Sequence, residues 1–383
     1  MRSLKTLAKV LIATAICFAI ATAIMEVVLR MTASPAANAA ADIYVEHDGY
    51  TAYRPNSHFQ FANERQDKVE IRTDELGFRN EPGRARTARL LLLGDSFVAA
   101  VNTVEAATLA GQLGTLGYDV YNAGSDGAGT FNQLAIMEKL LTAKNFSAIV
   151  LLFFTGNDFH DNFMTQDAVV AATARQAAAV AEAASPPDVP FGTLASRPPW
   201  RQKILDVCQG SRACQYFYNN VWLGQVRGYA RDPWANRRYF HMYLMTGAAR
   251  SEIDQGVAKT RVALGAMKQL AARAGVPLFV VSIPSRSETF RVWYDFFTTG
   301  TIDSDTLLDL LVDTPPDFDR PERTIRELCR DLQILYHALL GDFRAAPLPM
   351  KLYGVVDEHW MAEGEAIGAK SIAKFLSQQG ITP

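Results

Sequence analysis

The chain has 383 residues, 49% of them hydrophobic and 20% charged, which is enough apolar material for a full core in one large domain or two. A formal net charge of -2 gives no reason to expect nucleic acid as a partner. No block of like charges marks an interaction tail.

The first thirty residues stand apart from the fold. Arg2, Lys5 and Lys9 precede an apolar run from Val10 to Met25, and Glu26, Val27, Val28, Leu29 and Arg30 follow it. A cleaved signal peptide needs small residues directly after the apolar run, and Ala37-Asn38-Ala39 offers that only well downstream. An uncleaved helix starting near Leu7 is long enough to span with Glu26 at the headgroups, and this anchor is the favoured reading. Under either reading the basic end stays in the cytoplasm and the rest crosses. The expectation is therefore a single-pass inner-membrane protein with its main domain in the periplasm or outside the cell.

An Ala-rich tether over residues 31–42 leads into an alternating pattern, Phe59 and Phe61 and then Val69 and Ile71, which predicts a small β-hairpin or cover. Leu76-Gly77-Phe78-Arg79 ends it and Pro82-Gly83 marks a turn. Strands and helices then alternate. Strands are expected over 90–93, 119–121, 148–154, 278–283 and 333–337, and helices over 103–116, 131–144, 251–274, 324–332 and 362–378. This alternation predicts an α/β fold, a three-layer, flavodoxin-like parallel sheet covered on both faces. Between residues 164 and 250 an Ala-rich helix over 168–184 ends at Ser185-Pro186-Pro187, and an aromatic-rich irregular segment follows. That stretch reads as an insertion over the mouth of the sheet. Its aromatics form either a local mini-core or a stacking platform for sugar rings. The chain thus divides into an anchor or signal over 1–30, a tether and β cover over 31–85, and a main domain over 86–383 carrying the insertion.

Of the four cysteines, Cys17 lies in the apolar segment and Cys329 falls in a helical pattern as a small packed residue. Cys208 and Cys214 stand close enough in sequence for a disulfide in an oxidising compartment, or remain two thiols.

The strand over 90–93 runs straight into Gly94-Asp95-Ser96, which sets a hydroxyl at a strand's carboxyl end, where open α/β sheets hold their ligands. A serine nucleophile needs a base, a carboxylate to orient that base, and donors for the oxyanion. Asn122-Ala123-Gly124-Ser125-Asp126-Gly127 follows the second strand with backbone N–H groups to offer, and Thr155-Gly156-Asn157-Asp158 follows the third with a carboxamide. Near the end, Asp357-Glu358-His359-Trp360 puts an acid two residues before a histidine, a spacing that in an irregular loop lets the acid reach Nδ1–H while Nε2 faces the serine. His160, in Asn157-Asp158-Phe159-His160-Asp161, is the rival base; that cluster also has metal-ligand chemistry, although such loops are more often solvated. Taken singly, Ser96 has the alternative of capping a helix, Gly127 of serving a turn, and Asn157 of satisfying backbone groups.

Serine, glycine, asparagine and histidine in this order resemble the SGNH (GDSL) hydrolase family from about Arg89 to the C-terminus, excluding the insertion. The anchor, Tyr53-Arg54-Pro55-Asn56 and Leu76-Gly77-Phe78-Arg79 look like the lead-in of its membrane-anchored bacterial members. The resemblance implies Ser96 as nucleophile and His359 as base with Asp357 as its partner. It implies Ser96 N–H, Gly127 N–H and the Asn157 side chain as oxyanion donors, with no cofactor and no metal. Two features depart from the family pattern. One residue rather than two separates the acid from the histidine, and Val98-Ala99-Ala100-Val101 lacks the glycine often found after the serine, with little consequence expected. Asp357-Glu358-His359-Trp360 is similar to the Asp-x-His-Trp element of alginate O-acetylation proteins, although there the element precedes the serine. The expected activity is ester hydrolysis through an acyl-enzyme, most directly on O-acetyl groups of an envelope or surface polysaccharide. Polysaccharide O-acyl transfer at the same site, lipase or small-ester hydrolysis, and a silent assembly or glycan-binding protein are the alternatives. The partners expected are an acylated carbohydrate or other ester and, through the N-terminal helix, the membrane; nucleic acid is not among them.

Overall fold

Leu90–Gly94 is buried at all five positions, as a strand with helices on both faces must be. The structure, a computed structural model, describes residues 43–47, 49–63, 68–83, 89–143, 146–182, 237–247, 249–291, 315–354 and 358–383, with isolated positions before residue 25. Tyr44–Ser196 and Pro233–Pro383 make one compact unit; Met1–Ile43 with Arg197–Asp232 make a second, almost wholly outside the described residues. The expected anchor, the Cys208 and Cys214 pair and most of the aromatic insertion fall there or in other undescribed stretches. Among the described residues no helix is long and apolar enough to cross a membrane.

The main sheet consists of β5 (Leu90–Gly94), β6 (Val120–Gly124), β7 (Ala148–Phe154), β8 (Leu278–Ile283) and β9 (Leu335–Ala338). Its order is β6-β5-β7-β8-β9 and every pairing is parallel. Counted within this sheet that is 2-1-3-4-5, the flavodoxin-like order the alternation predicts. The period-2 geometry of each strand sends alternate side chains to opposite faces. Leu91, Leu93, Ile149, Leu151 and Val280 pack with helices α3 (Thr130–Ala143), α7 (Ser251–Ala274) and α9 (Arg320–Asp331). Leu90, Leu92, Val150, Leu152 and Val281 pack with α2 (Leu109–Thr115), α10 (Leu340–Arg344) and α11 (Ala362–Gln378). Cys329 is buried in the first of these cores, and burial pushes its thiol up to about 12, so it stays protonated and inert.

Several sequence expectations shift. In place of one helix over 103–116, a single 3₁₀ turn over Glu105–Ala107 precedes α2, because Thr108 is extended and its side chain accepts from Gly111 N–H as the cap. The second strand is Val120–Gly124 rather than 119–121, and the fifth is Leu335–Ala338 rather than 333–337. The single expected hairpin is two: β1 (Tyr44–His47) pairs with β2 (Tyr50–Tyr53), and β3 (His58–Ala62) with β4 (Lys68–Arg72).

Candidate active site

Ser96 opens α1 (Ser96–Ala99), and the cap of that helix is Asp95, whose Oδ1 accepts from Phe97 N–H at 3.0 Å. Capping is therefore not what Ser96 does. Its half-buried hydroxyl lies 2.6 Å from Nε2 of His359, 263 positions away in sequence. With the ring proton on Nδ1 the serine donates to that nitrogen. The Phe97 ring stands 4.8 Å from the imidazole and 4.2 Å from Phe154, an apolar wall behind the pair.

Backbone pairing fixes the histidine. Tyr353 and Trp360 form an antiparallel bridge, Gly354 N–H donates to the His359 carbonyl at 2.9 Å, and Met361 N–H donates to Leu352 at 2.8 Å. Trp360 is buried against Gly364 and Gly368 of α11; a Cβ on Gly364 would stand 3.2 Å from Trp360 and 2.5 Å from the Leu352 carbonyl. Asp357, the acid expected behind the imidazole, lies outside the described residues.

The two expected donor turns follow the strands that flank β5. Ser125 N–H bonds the Gly94 carbonyl at 3.1 Å, and a Cβ on Gly124 would meet Ala99 N at 2.2 Å, so the loop after β6 lies directly on α1. Gly127 is exposed and takes φ +68°, a conformation that suits glycine. The far side of the loop touches the helix that follows Asn157: Thr130 N–H donates to Asn162 Oδ1 at 3.0 Å. Asn157 itself precedes α4 (Asp158–Phe163), in a turn clamped by Phe154 N–H donating to Asp158 Oδ2 at 2.9 Å. Among the described residues its carboxamide Oδ1 is buried with no hydrogen-bond partner.

His160, the rival base, is turned elsewhere. Its Nδ1 is 3.2 Å from Asp161 Oδ1 and its ring packs edge-on to Phe240. Among the described residues no group of His, Cys, Asp or Glu has metal-ligand geometry.

Sequence reasoning missed the residues that hold these turns. Arg79 is buried; it donates to the carbonyls of Ala99, Ala100 and Thr103 and pairs with Glu105 at 2.8 Å. Asn122 Nδ2 donates to the Val98 carbonyl at 2.9 Å, and Asn80 bonds the Asn122 backbone on both sides. Tyr44 and Tyr53 both donate to Asp126 Oδ2, at 2.5 and 2.7 Å, beside Gly127. Burial first, then the Asp126 charge, raises the Tyr53 phenol well above its usual value, which keeps it a donor. The usable signal was Leu76-Gly77-Phe78-Arg79, an arginine beside a buried aromatic with no partner in its own segment.

No family model matches the chain. No curated protein matches it either. Among solved structures it is similar to a lipase/acylhydrolase from Enterococcus faecalis at 11% identity and TM-score 0.37, covering 76% of this chain and 97% of that one. An acetyl xylan esterase is similar at 14% identity and TM-score 0.35, with 75% and 99% covered. A protein assigned to the SGNH hydrolases, from Slackia heliotrinireducens, is similar at 14% identity and TM-score 0.33, with 75% and 97% covered. These likenesses are too slight to assign a family, and the chemistry rests on the geometry of the chain itself.

Proposed function

We propose that the chain is a serine ester hydrolase working through an acyl-enzyme. The observation that carries this reading is the 2.6 Å approach of Ser96 Oγ to His359 Nε2 at the carboxyl end of β5. Ser96 Oγ attacks the ester carbonyl as His359 takes its proton, and Asp357 steadies the imidazolium that forms. The oxyanion is held by Ser96 N–H, Gly127 N–H and Asn157 Nδ2–H. The alkoxy C–O bond then breaks as His359 returns the proton to the leaving oxygen. Water, activated by the same imidazole, attacks the acyl carbon, the bond to Oγ breaks, and a carboxylic acid leaves.

The substrate class we infer is the O-acetyl group of an envelope or surface polysaccharide. The basic-then-apolar N-terminus favours an envelope location with the domain beyond the cytoplasmic membrane, and the local Asp-x-His-Trp likeness favours an acetylated glycan. The test is hydrolysis of activated esters of graded chain length by the full chain, with fluorophosphonate labelling. Acetate esters should be cleaved fastest, Ser96 should carry the label, and Ser96→Ala and His359→Ala should each lose at least about 1,000-fold in kcat. Activity that survives Ser96→Ala would refute the nucleophile. Rates that climb toward long acyl chains would favour a lipase, and acylated glycan appearing in place of free acetate would favour transfer. An unlabelled, inactive protein would leave the silent assembly or glycan-binding reading.

A further inference from the structure

Behind the candidate site lies a buried polar cluster that the reaction above does not use. After β8 the chain turns at Pro284-Ser285 into a five-residue helix, α8 (Arg286–Phe290). Ser285 caps it in a reciprocal box: its hydroxyl accepts from Glu288 N–H, and its own N–H donates to Glu288 Oε2 at 2.9 Å. Ser285 and Glu288 are both fully buried. A capping box alone would explain these two residues as helix stabilisation.

The cluster does not stop at the cap. Glu288 Oε2 is also 2.5 Å from the hydroxyl of Thr155, which bonds the Ile283 carbonyl at 2.9 Å as well. Thr155 is two residues before Asn157, in the turn that carries its carboxamide. Gly156 between them has no room for a side chain, since a Cβ would stand 2.4 Å from the Phe154 ring. The position of the Asn157 amide is therefore transmitted through a short, tightly packed turn whose foot rests on Glu288. His241, buried, adds its Nε2 at 3.1 Å from Ser285 Oγ.

The next residue of the same helix reaches the other half of the site. Thr289 Oγ1 is 2.8 Å from the Tyr353 hydroxyl, which donates to the Pro284 carbonyl at 2.8 Å. Tyr353 is the residue bridged to Trp360, next to His359. From its outer side, Arg344 donates to the Glu288 carbonyl at 2.6 Å and fixes the helix against α10. Consecutive side chains of one short helix thus support the turn of the amide donor and the loop of the imidazole.

We propose that α8 is a positioning element, holding the Asn157 donor through Glu288 and Thr155 and the His359 base through Thr289 and Tyr353. Neither Glu288 nor Thr289 touches substrate; each acts through its partner. The proposal rests on the ester-hydrolase reading for its kinetic consequence but not for its structural one.

The test measures kcat and KM on p-nitrophenyl acetate, together with hydrogen exchange over residues 153–160 and 352–361, in the full chain. Glu288→Ala should lower kcat about tenfold or more, as small misplacements of reacting groups do, with KM within about twofold. Glu288→Gln, which keeps an acceptor in place, should recover most of the rate. In an Asn157→Ala background Glu288→Ala should cost almost nothing more, whereas Thr289→Val should still cost, because it acts on the histidine. Exchange should quicken over 153–160 in Glu288→Ala and over 352–361 in Thr289→Val. Equal losses from Glu288→Ala in both backgrounds would overturn the proposal, as would exchange unchanged in both windows or kcat unchanged despite faster exchange. If Glu288→Ala does not fold, Thr155→Val removes the same contact and is judged by the same outcomes. A wild-type protein that cleaves no ester would sink the hydrolase reading alone, since the exchange windows still decide the positioning role.

Discussion

The guanidinium of Arg79 donates to the carbonyl of Ala100, the residue at which the chain leaves the Ser96-bearing helix with a left-handed φ of 48°. A non-glycine residue there costs about 1 kcal/mol or more, and the buried fork of Arg79 across Ala99, Ala100 and Thr103 offsets it. Lysine cannot reproduce that fork. Arg79→Lys should lower unfolding stability by about 2–3 kcal/mol, read as an earlier urea midpoint at unchanged slope. The exposed half of the Glu105 ion pair adds little to that figure.

Asn157 separates function from stability. Its carboxamide oxygen has no hydrogen bond among the described residues to lose, so Asn157→Ala should leave the melting temperature almost unchanged. If the side chain supplies an oxyanion donor, kcat should fall about 100-fold, on the order of 3 kcal/mol. A melting curve and a kcat measurement on one preparation check both halves.

Gly364→Ala should act on the histidine from behind. The added methyl would meet the Leu352 carbonyl at 2.5 Å and the Trp360 side chain at 3.2 Å, so the bridged loop must shift. Fluorophosphonate labelling of Ser96 should slow by about tenfold or more, because His359 moves off the hydroxyl.

Buried Glu288 and His241 give stability opposite pH slopes. Burial lifts the Glu288 carboxyl to about 7, so its contribution is fully present below the unfolded value near 4.5 and is lost as pH rises through about 7. Burial lowers His241 to about 3, so its contribution is present above the unfolded 6.5 and is lost as pH falls toward 3. The two slopes oppose each other between about pH 4.5 and 6.5, so wild-type urea midpoints should stay nearly level there, whereas Glu288→Gln should leave the His241 slope alone and make the midpoints climb with pH up to about 6.5.

Where local periodicity was strong, the sequence located elements to the residue. Ala148–Phe154, Ser251–Ala274, Leu278–Ile283 and Ala362–Gln378 fall where expected, because each is an unbroken apolar or amphipathic run ended by its own punctuation, such as Gly275 in the left-handed region. Elements shaped by distant partners were not legible. The second strand runs on through polar Asn122, which is tolerable only because Val98 and Asn80 satisfy its groups. The break before α2 follows from Thr108 and from Gly111, whose Cβ would meet the Glu105 carbonyl at 2.2 Å.

Residue types and their order along the chain, with the family resemblance they carry, nominated Ser96, Gly127, Asn157 and His359; the first three follow strands of the open parallel sheet, and His359 lies in a late loop. Only the tertiary structure set His359 Nε2 2.6 Å from the Ser96 hydroxyl and His160 against Asp161 and Phe240, took the capping role from Ser96 and gave it to Asp95, and revealed Arg79 and Glu288. Those decisions rest on contacts between segments far apart in sequence, and hydrogen bonds of a few ångströms across such separations leave no period for a pattern to carry.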